Sequence, residues 1–414
     1  MRQSDVLHLT RWAIKPTPMP LSDNSQLLVQ ALESMTLLDG RFENIRLVNF
    51  NSFTDVKRGC FSLVFSAHDI IEDTPVALKF YDLDPLVAND DYRRAAFRRE
   101  HEILQVVLNK ERCLQLASAL SAYNLVIPIS PLMSVTIPCE YFAVEWVGSD
   151  IDDYFFQQEK FDALDKLYLF NEITLAVEAL HRYEVFHRDL KPDNLRRYQE
   201  AIKRIVIAID LGTAARFSSA RLQPHYGHTA GAPAYSAPEA ICGLAGNRVL
   251  APYTDCYALG CLLFELFNRD YFYKALFTKN PRYQVIYTAM KAYLSGITDE
   301  TDQVRAWKSA LAKYSAGVEH VCIDGPGTTV PPGIATLLNE TLRSLTHVDY
   351  SNRPIVLSKV RVRIWAAIRT LQNEKLNQRR IAMAKEIRRR RIEKQQRRAD
   401  VLNRVILAKH NYAN

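Results

Sequence analysis

The chain is 414 residues long, 48% apolar and 24% charged, the balance of an ordinary soluble globular protein with room for two or three domains. Its net charge of +7 is unevenly spread: Glu374 to Asn414 holds thirteen Lys and Arg against four acids, a local +9 that leaves −2 for the rest. Seven scattered cysteines, odd in number and without a Cys-x-x-Cys pair, suit reduced thiols in a cytoplasmic compartment. Charges at Arg2, Asp5, Arg11 and Lys15 oppose a secretory signal, and the longest apolar run, Tyr257 to Phe267, is interrupted by Glu265 and too short to span a bilayer.

Residues 1–40 read as an irregular leader, with Pro16, Pro18 and Pro20, followed by a short amphipathic helix from Ser25 to Leu38. Leu28, Ala31, Leu32 and Met35 share its apolar stripe, and Asp39-Gly40 ends it. From Arg41 the pattern changes to strands: Ile45 to Phe50, Cys60 to Ser66, and Pro75 to Phe80. Lys79 lies among apolar neighbours in the third, so its cation needs a partner. Asp91 to Leu108 is expected to be a helix, and Tyr141 to Val147 a further strand that ends at the flexible joint Gly148-Ser149. A helical run then spans Leu167 to Tyr183, and a β-rich run spans Ile205 to Ile209. Between them stands His187-Arg-Asp-Leu-Lys-Pro-Asp-Asn194, three kinds of charged group and an amide at fixed offsets on a loop between two packed elements.

That octapeptide resembles the catalytic loop of the eukaryotic-type serine/threonine protein kinases. The resemblance runs from about 41 to 370 and implies a bilobal α+β fold. Its small lobe (41–148) is an antiparallel sheet with one main helix, its larger lobe (149–372) is mainly helical, and ATP lies between them. Phosphoryl transfer asks chiefly for positioning and charge neutralisation. By resemblance, Asp189 is the catalytic acid–base residue and Lys191 the cation near the transferred phosphate. Asn194 and Asp210, the latter in Asp210-Leu-Gly212, would be the Mg²⁺ ligands. Val76-Ala-Leu-Lys79 resembles the strand whose lysine meets the phosphates, with Glu100 its expected ion-pair partner and Glu102 the competitor. Val56, Gly59, Val64 and Ala77 would line the nucleotide site with Val144. The backbone of Glu145 and Val147 would meet the adenine edge, and Asp150 the ribose. His187, Leu211 and Leu104 would stack in an apolar spine. Gly231-Ala-Pro-Ala-Tyr-Ser-Ala-Pro-Glu239 resembles the end of the activation loop, Glu239 pairing with Arg353, while Asp255 would support the catalytic loop. These features oppose a small-molecule kinase, and Lys191-Pro192-Asp193 favours Ser/Thr over Tyr substrates.

The chain departs from the family pattern in two places. Only Gly59 survives of the glycine-rich loop, with Lys57 and Ser62 where other glycines would stand, and Ala232 replaces a Thr whose hydroxyl bridges the catalytic Asp and Lys. The competing reading is therefore a catalytically feeble scaffold recruited through its tail, although every charged catalytic group is present. Arg188 is placed to bind a phosphate on the activation loop, with Thr229 the preferred acceptor, then Ser218, Ser219 and Thr213. His225 and His228 lack the nearby partners of a metal site.

Residues 373–414 contain neither Gly nor Pro and read as one basic helix centred on Arg388 to Arg391. Its apolar residues do not sustain a heptad, which opposes a coiled coil. An anionic membrane surface, nucleic acid and an acidic protein all suit such a helix, as does plain solvation.

Overall fold

The computed structural model describes residues 20–51, 56–57, 62–198, 205–217 and 231–412. Alternating burial along β4 (Ser62–Asp69) and β5 (Thr74–Tyr81) fixes the small lobe. These strands pair antiparallel with each other, with β1 (Phe42–Leu47), and with β7 (Met133–Glu145), which pairs in turn with β6 (Ser121–Ser130); the sheet order is β1-β4-β5-β7-β6. Leu63, Phe65, Val76, Leu78 and Phe80 fill one face of the sheet together with Leu28 and Leu32 of α1 (Asp23–Ser34). The helix begins two residues earlier and stops four residues earlier than its apolar stripe implied. Ser22 caps its start by accepting from the Ser25 N–H at 3.2 Å, and the chain then reverses through Asp39 and Gly40, both at positive φ.

The register places Val64 opposite Lys79 and Ala77 opposite Val144, so all four project from the other face. Against that face lies α3 (Asp91–Val106), capped by Asp90, whose carboxylate accepts from the Tyr92 and Arg93 amides. The four-residue α2 (Pro85–Ala88) precedes it. A two-stranded ribbon, β2 (Phe50–Asn51) with β3 (Val56–Lys57), precedes β4. The strand expected at Tyr141 to Val147 is the last third of a 13-residue strand, and its partner β6 had no counterpart in the sequence reading.

Beyond Glu145 the chain becomes mainly helical. The short strand β8 (Ser149–Asp150) already pairs with β10 (Leu195–Arg197) of the large lobe, whose other neighbour is β11 (Val206–Ala208); β9 (Val185–Phe186) pairs with β12 (Ala215–Arg216). After α4 (Asp153–Phe156), α5 (Ala163–Arg182) packs against α6 (Ala251–Phe267), which is buried on every side. Helices α7 (Phe272–Lys279), α8 (Tyr283–Leu294), α9 (Glu300–Tyr314) and α10 (Pro332–Leu345) complete the lobe around Trp307 and Tyr283.

The last helix, α11 (Ser358–Tyr412), is longer than the tail read from sequence and has no break at residue 373. What changes there is burial: Val360, Ile364, Ala367, Ile368 and Leu371 pack into the lobe, whereas 372–385 and 387–397 are exposed. Among the described residues no helix is long and apolar enough to cross a membrane.

Candidate active site

Between the lobes, Lys79 lies within reach of two carboxylates. Its ammonium is 2.5 Å from Glu100 Oε2 on α3 and 2.9 Å from Asp210 Oδ1 across the cleft. Burial acts to depress the Lys79 pKa, but Asp210 and Glu100 outweigh it and hold the ammonium protonated. Burial likewise opposes ionisation of Asp210, and Lys79 and Lys191 reverse this to bring its pKa below the usual carboxylate value. Glu100 is 3% exposed and its other oxygen accepts from the Leu211 N–H at 3.2 Å, tying helix α3 to the start of the loop after β11. Glu102 is exposed and pairs with Arg99 on its own helix, away from Lys79.

The octapeptide His187 to Asn194 surrounds Asp189, which is 8% exposed. Its Oδ2 accepts from Lys191 Nζ at 3.0 Å and from Asn194 Nδ2 at 3.0 Å. Its Oδ1 accepts from the Ala232 N–H at 2.7 Å. A backbone amide therefore contacts the carboxylate at the position where a Thr was expected, and Asp189 meets Lys191 directly. This approach requires glycine at 231, where φ is +80° and a Cβ would lie 2.7 Å from Asp189 Oδ1 and 2.6 Å from the Arg188 carbonyl. Burial acts to depress the Lys191 pKa, and Asp189, Asp210 and Asp193 together raise it above the usual lysine value, so the ammonium is retained. Asn194 gives its amide nitrogen to Asp189, which turns the amide oxygen away from it.

The loop is suspended from one buried carboxylate. Asp255, on α6 and 0% exposed, accepts from the backbone N–H of His187 at 2.8 Å and of Arg188 at 2.7 Å, and from the His181 ring at 2.8 Å. Burial opposes its ionisation, and these donors more than compensate, leaving its pKa low. His187 spans from the Asp189 amide at Nδ1 to the Ile209 carbonyl at Nε2, a pattern that assigns the ring proton to Nε2. Arg188 and Asp210 both occupy the left-handed region at φ 63°, a strained conformation for a side-chain-bearing residue. His187, Leu104 and Leu211 are all fully buried.

Residues 50–359 match the protein kinase domain family, three quarters of the chain. The chain belongs to that family. Among similar proteins, the carbon catabolite-derepressing protein kinase of Candida glabrata is 26% identical over 54% of this chain and 32% of its own length. Its Saccharomyces cerevisiae counterpart is 29% identical over 30% and 18%, and the serine/threonine-protein kinase PrkC of Bacillus subtilis is 29% identical over 55% and 30%. The match thus spans about a third or less of each relative.

Other kinase-motif positions can now be located. Glu239 and Arg353 form a bidentate pair at 2.6 and 2.9 Å in the interior. Val64 and Ala77 are half-buried on the Lys79 face, beside Val144. Glu145 directs its side chain to Tyr198 and the Gln115 amide, and Val147 follows half-buried. Asp150 is exposed on β8. The Arg188 guanidinium donates to the carbonyls of Thr213 and Ala245 at 2.7 Å each. The Thr213 hydroxyl likewise donates to the His187 carbonyl. Gly59, Ser218, Ser219, His225, His228, Thr229 and the side chain of Val56 lie outside the described residues. Sequence reasoning missed His181, which no motif marks, and Asp82, which receives Lys57.

Proposed function

We propose that the protein transfers the γ-phosphate of ATP to Ser or Thr hydroxyls of proteins, with Mg²⁺. The observation that supports this most directly is Lys79 paired with both Glu100 and Asp210 while Asp189, Lys191 and Asn194 converge opposite. The donor set fits a hard, oxygen-preferring cation: Asn194 offers an amide oxygen, and Asp210 a carboxylate oxygen not taken by Lys79. Mg²⁺ held there would neutralise charge on the phosphates.

In this reading Asp189 orients the incoming hydroxyl and takes its proton, and Lys191 sets a positive charge beside the group in transfer. Lys79 binds the remaining phosphates, held in place by Glu100. The adenine meets Val64, Ala77 and the backbone of Glu145 and Val147, with Val56 and Gly59 above and Asp150 toward the ribose. A cytoplasmic location is proposed too, supported by five buried, unpaired cysteines at 113, 139, 242, 256 and 261.

The test is transfer of label from ATP with Mg²⁺ to the protein itself and to a generic basic protein, followed by identification of the phosphorylated residue type. Label on Ser or Thr that disappears in Asp210→Ala supports the proposal. A wild type that binds nucleotide without turnover would replace it with the scaffold reading.

For α11 we propose an anionic partner: a membrane surface, a nucleic acid or an acidic protein. Arg388 to Arg391 point to every side of an exposed helix, and Glu386 and Glu393 engage only Arg389 and Arg390 of the four among the described ion pairs. Binding that does not weaken from low to moderate salt would remove this proposal.

A further inference from the structure

Inside the small lobe, away from the cleft, three polar side chains from distant stretches meet. Asp82, immediately after β5, is 1% exposed. Its Oδ1 accepts from the Ser25 hydroxyl at 2.6 Å and from the Asp84 N–H at 3.2 Å, and its Oδ2 receives the Lys57 ammonium. Ser25 is fully buried in the first turn of α1, and its hydroxyl also meets that of the capping Ser22 at 2.7 Å. The amino end of a helix, the end that favours negative charge, thus faces a buried carboxylate. Lys57 belongs to the β2–β3 ribbon, at a position where the sequence pattern of the nucleotide loop called for glycine.

The Lys57 side chain is 7% exposed and turned onto Asp82. Burying an ammonium with a carboxylate gives little net stability over an apolar pair of equal size, because desolvation offsets their attraction. The cluster is therefore better explained by what it joins. It links three segments: the leader helix, the end of the strand that carries Lys79, and the ribbon that carries Val56, which the kinase resemblance assigns to the nucleotide site.

We propose that Ser25, Asp82 and Lys57 form a clasp through which helix α1 positions the β2–β3 ribbon and thereby sets the affinity for ATP. The proposal rests on reading the cleft as an ATP site. Ser25 and Asp82 act as positioning residues. Neither touches Asp189, Lys191, Asn194 or Asp210, so turnover at saturating ATP is independent of the clasp.

The experiment uses the full chain with Ser25→Ala, Ser25→Thr, Asp82→Asn and the Ser25→Ala/Asp82→Asn double variant. Amide exchange across residues 50–57 is measured without nucleotide, beside KM for ATP and kcat. Ser25→Ala removes one hydrogen bond to a charged group and is expected to speed that exchange and raise KM about tenfold with kcat unchanged. Ser25→Thr keeps a hydroxyl and restores both, and Ser25→Ala adds nothing once Asp82 is replaced. Unaltered exchange and KM in Ser25→Ala overturn the clasp, as does a fall in kcat and thermal stability at constant KM, the signature of a merely structural role. Faster exchange in a protein whose wild type binds no ATP keeps the clasp's hold on the ribbon and overturns the nucleotide-site reading instead.

Discussion

The two walls of the cleft are held by different means. On the large-lobe side the loop from His187 to Asn194 is fixed by neutral and charge-assisted hydrogen bonds from elements that are themselves buried: two backbone amides and His181 on Asp255, the His187 ring on Ile209, and the Ala232 amide on Asp189. On the small-lobe side position depends on two lysines, Lys79 shared between Glu100 and Asp210, and Lys57 drawn onto Asp82. The first wall is preorganised by backbone, the second by charge. Substitutions in the first should therefore act on folding and turnover, and those in the second on nucleotide affinity.

The largest effect is expected at Glu239. Removing its carboxylate leaves the Arg353 guanidinium buried and unpaired, a loss of about 3–5 kcal/mol that thermal or denaturant unfolding of Glu239→Ala would register. If the wild type and this variant unfold together, the backbone carbonyls that accept from Arg353 suffice to hold it without its counter-charge. Next is Asp255→Asn, in which the acceptor of two loop amides is weakened. We expect kcat to fall on the order of 10²-fold with KM for ATP little changed, since small misplacement of a catalytic group is costly. An equal rise in KM would blur the distinction between the walls.

Lys166 offers a smaller effect, outside both walls and useful as a control. It is 1% exposed, donates to Thr329 and lies over the Phe267 ring. Burial lowers its pKa from 10.5 to about 8. Between those values the unfolded chain holds a proton that the folded chain lacks, so Lys166's contribution to stability is present above pH 10.5 and lost as pH falls through 8. Lys166→Met should stabilise the protein at pH 7 by on the order of 2 kcal/mol, and this gain should vanish near pH 10.5 in paired melting curves. The smallest effect is expected for Ala232→Thr. Because the residue 232 amide already occupies Asp189 Oδ1, restoring the family's hydroxyl should change kcat by no more than about threefold, well under one factor of ten in the barrier relation. A large gain would mean that the direct Asp189–Lys191 contact is an inferior substitute.

The same contrast explains what could be read from the sequence. The catalytic loop was legible because its chemistry demands particular residue types at fixed offsets, and Lys79 because its strand neighbours made a lone cation conspicuous. The hairpin β6–β7 was missed although Met133, Val135 and Ile137 alternate with Ser134 and Thr136: these residues are exposed or half-exposed, so the alternation faces no core, and Pro138 interrupts it. The end of the tail's packed section was misread as an element boundary, because helix propensity continues through residue 373 while burial does not. Asp82 was invisible for a third reason. It lies 57 residues from Ser25 and 25 from Lys57, and nothing local distinguishes a buried carboxylate with two partners from one in water. Ala232 misled in the opposite direction. The absent hydroxyl was plain in the sequence, but the backbone amide that meets Asp189 has no sequence signature.

In the proposed mechanism Asp189 carries out the transfer in a site whose nucleotide affinity is set elsewhere. The most direct measurement is ATP binding and Mg²⁺-dependent phosphoryl transfer by Asp189→Asn beside the wild type. The variant is expected to bind ATP as the wild type does and to lose turnover by a factor on the order of 10² or more. Turnover that survives the substitution, or affinity that collapses with it, would contradict it.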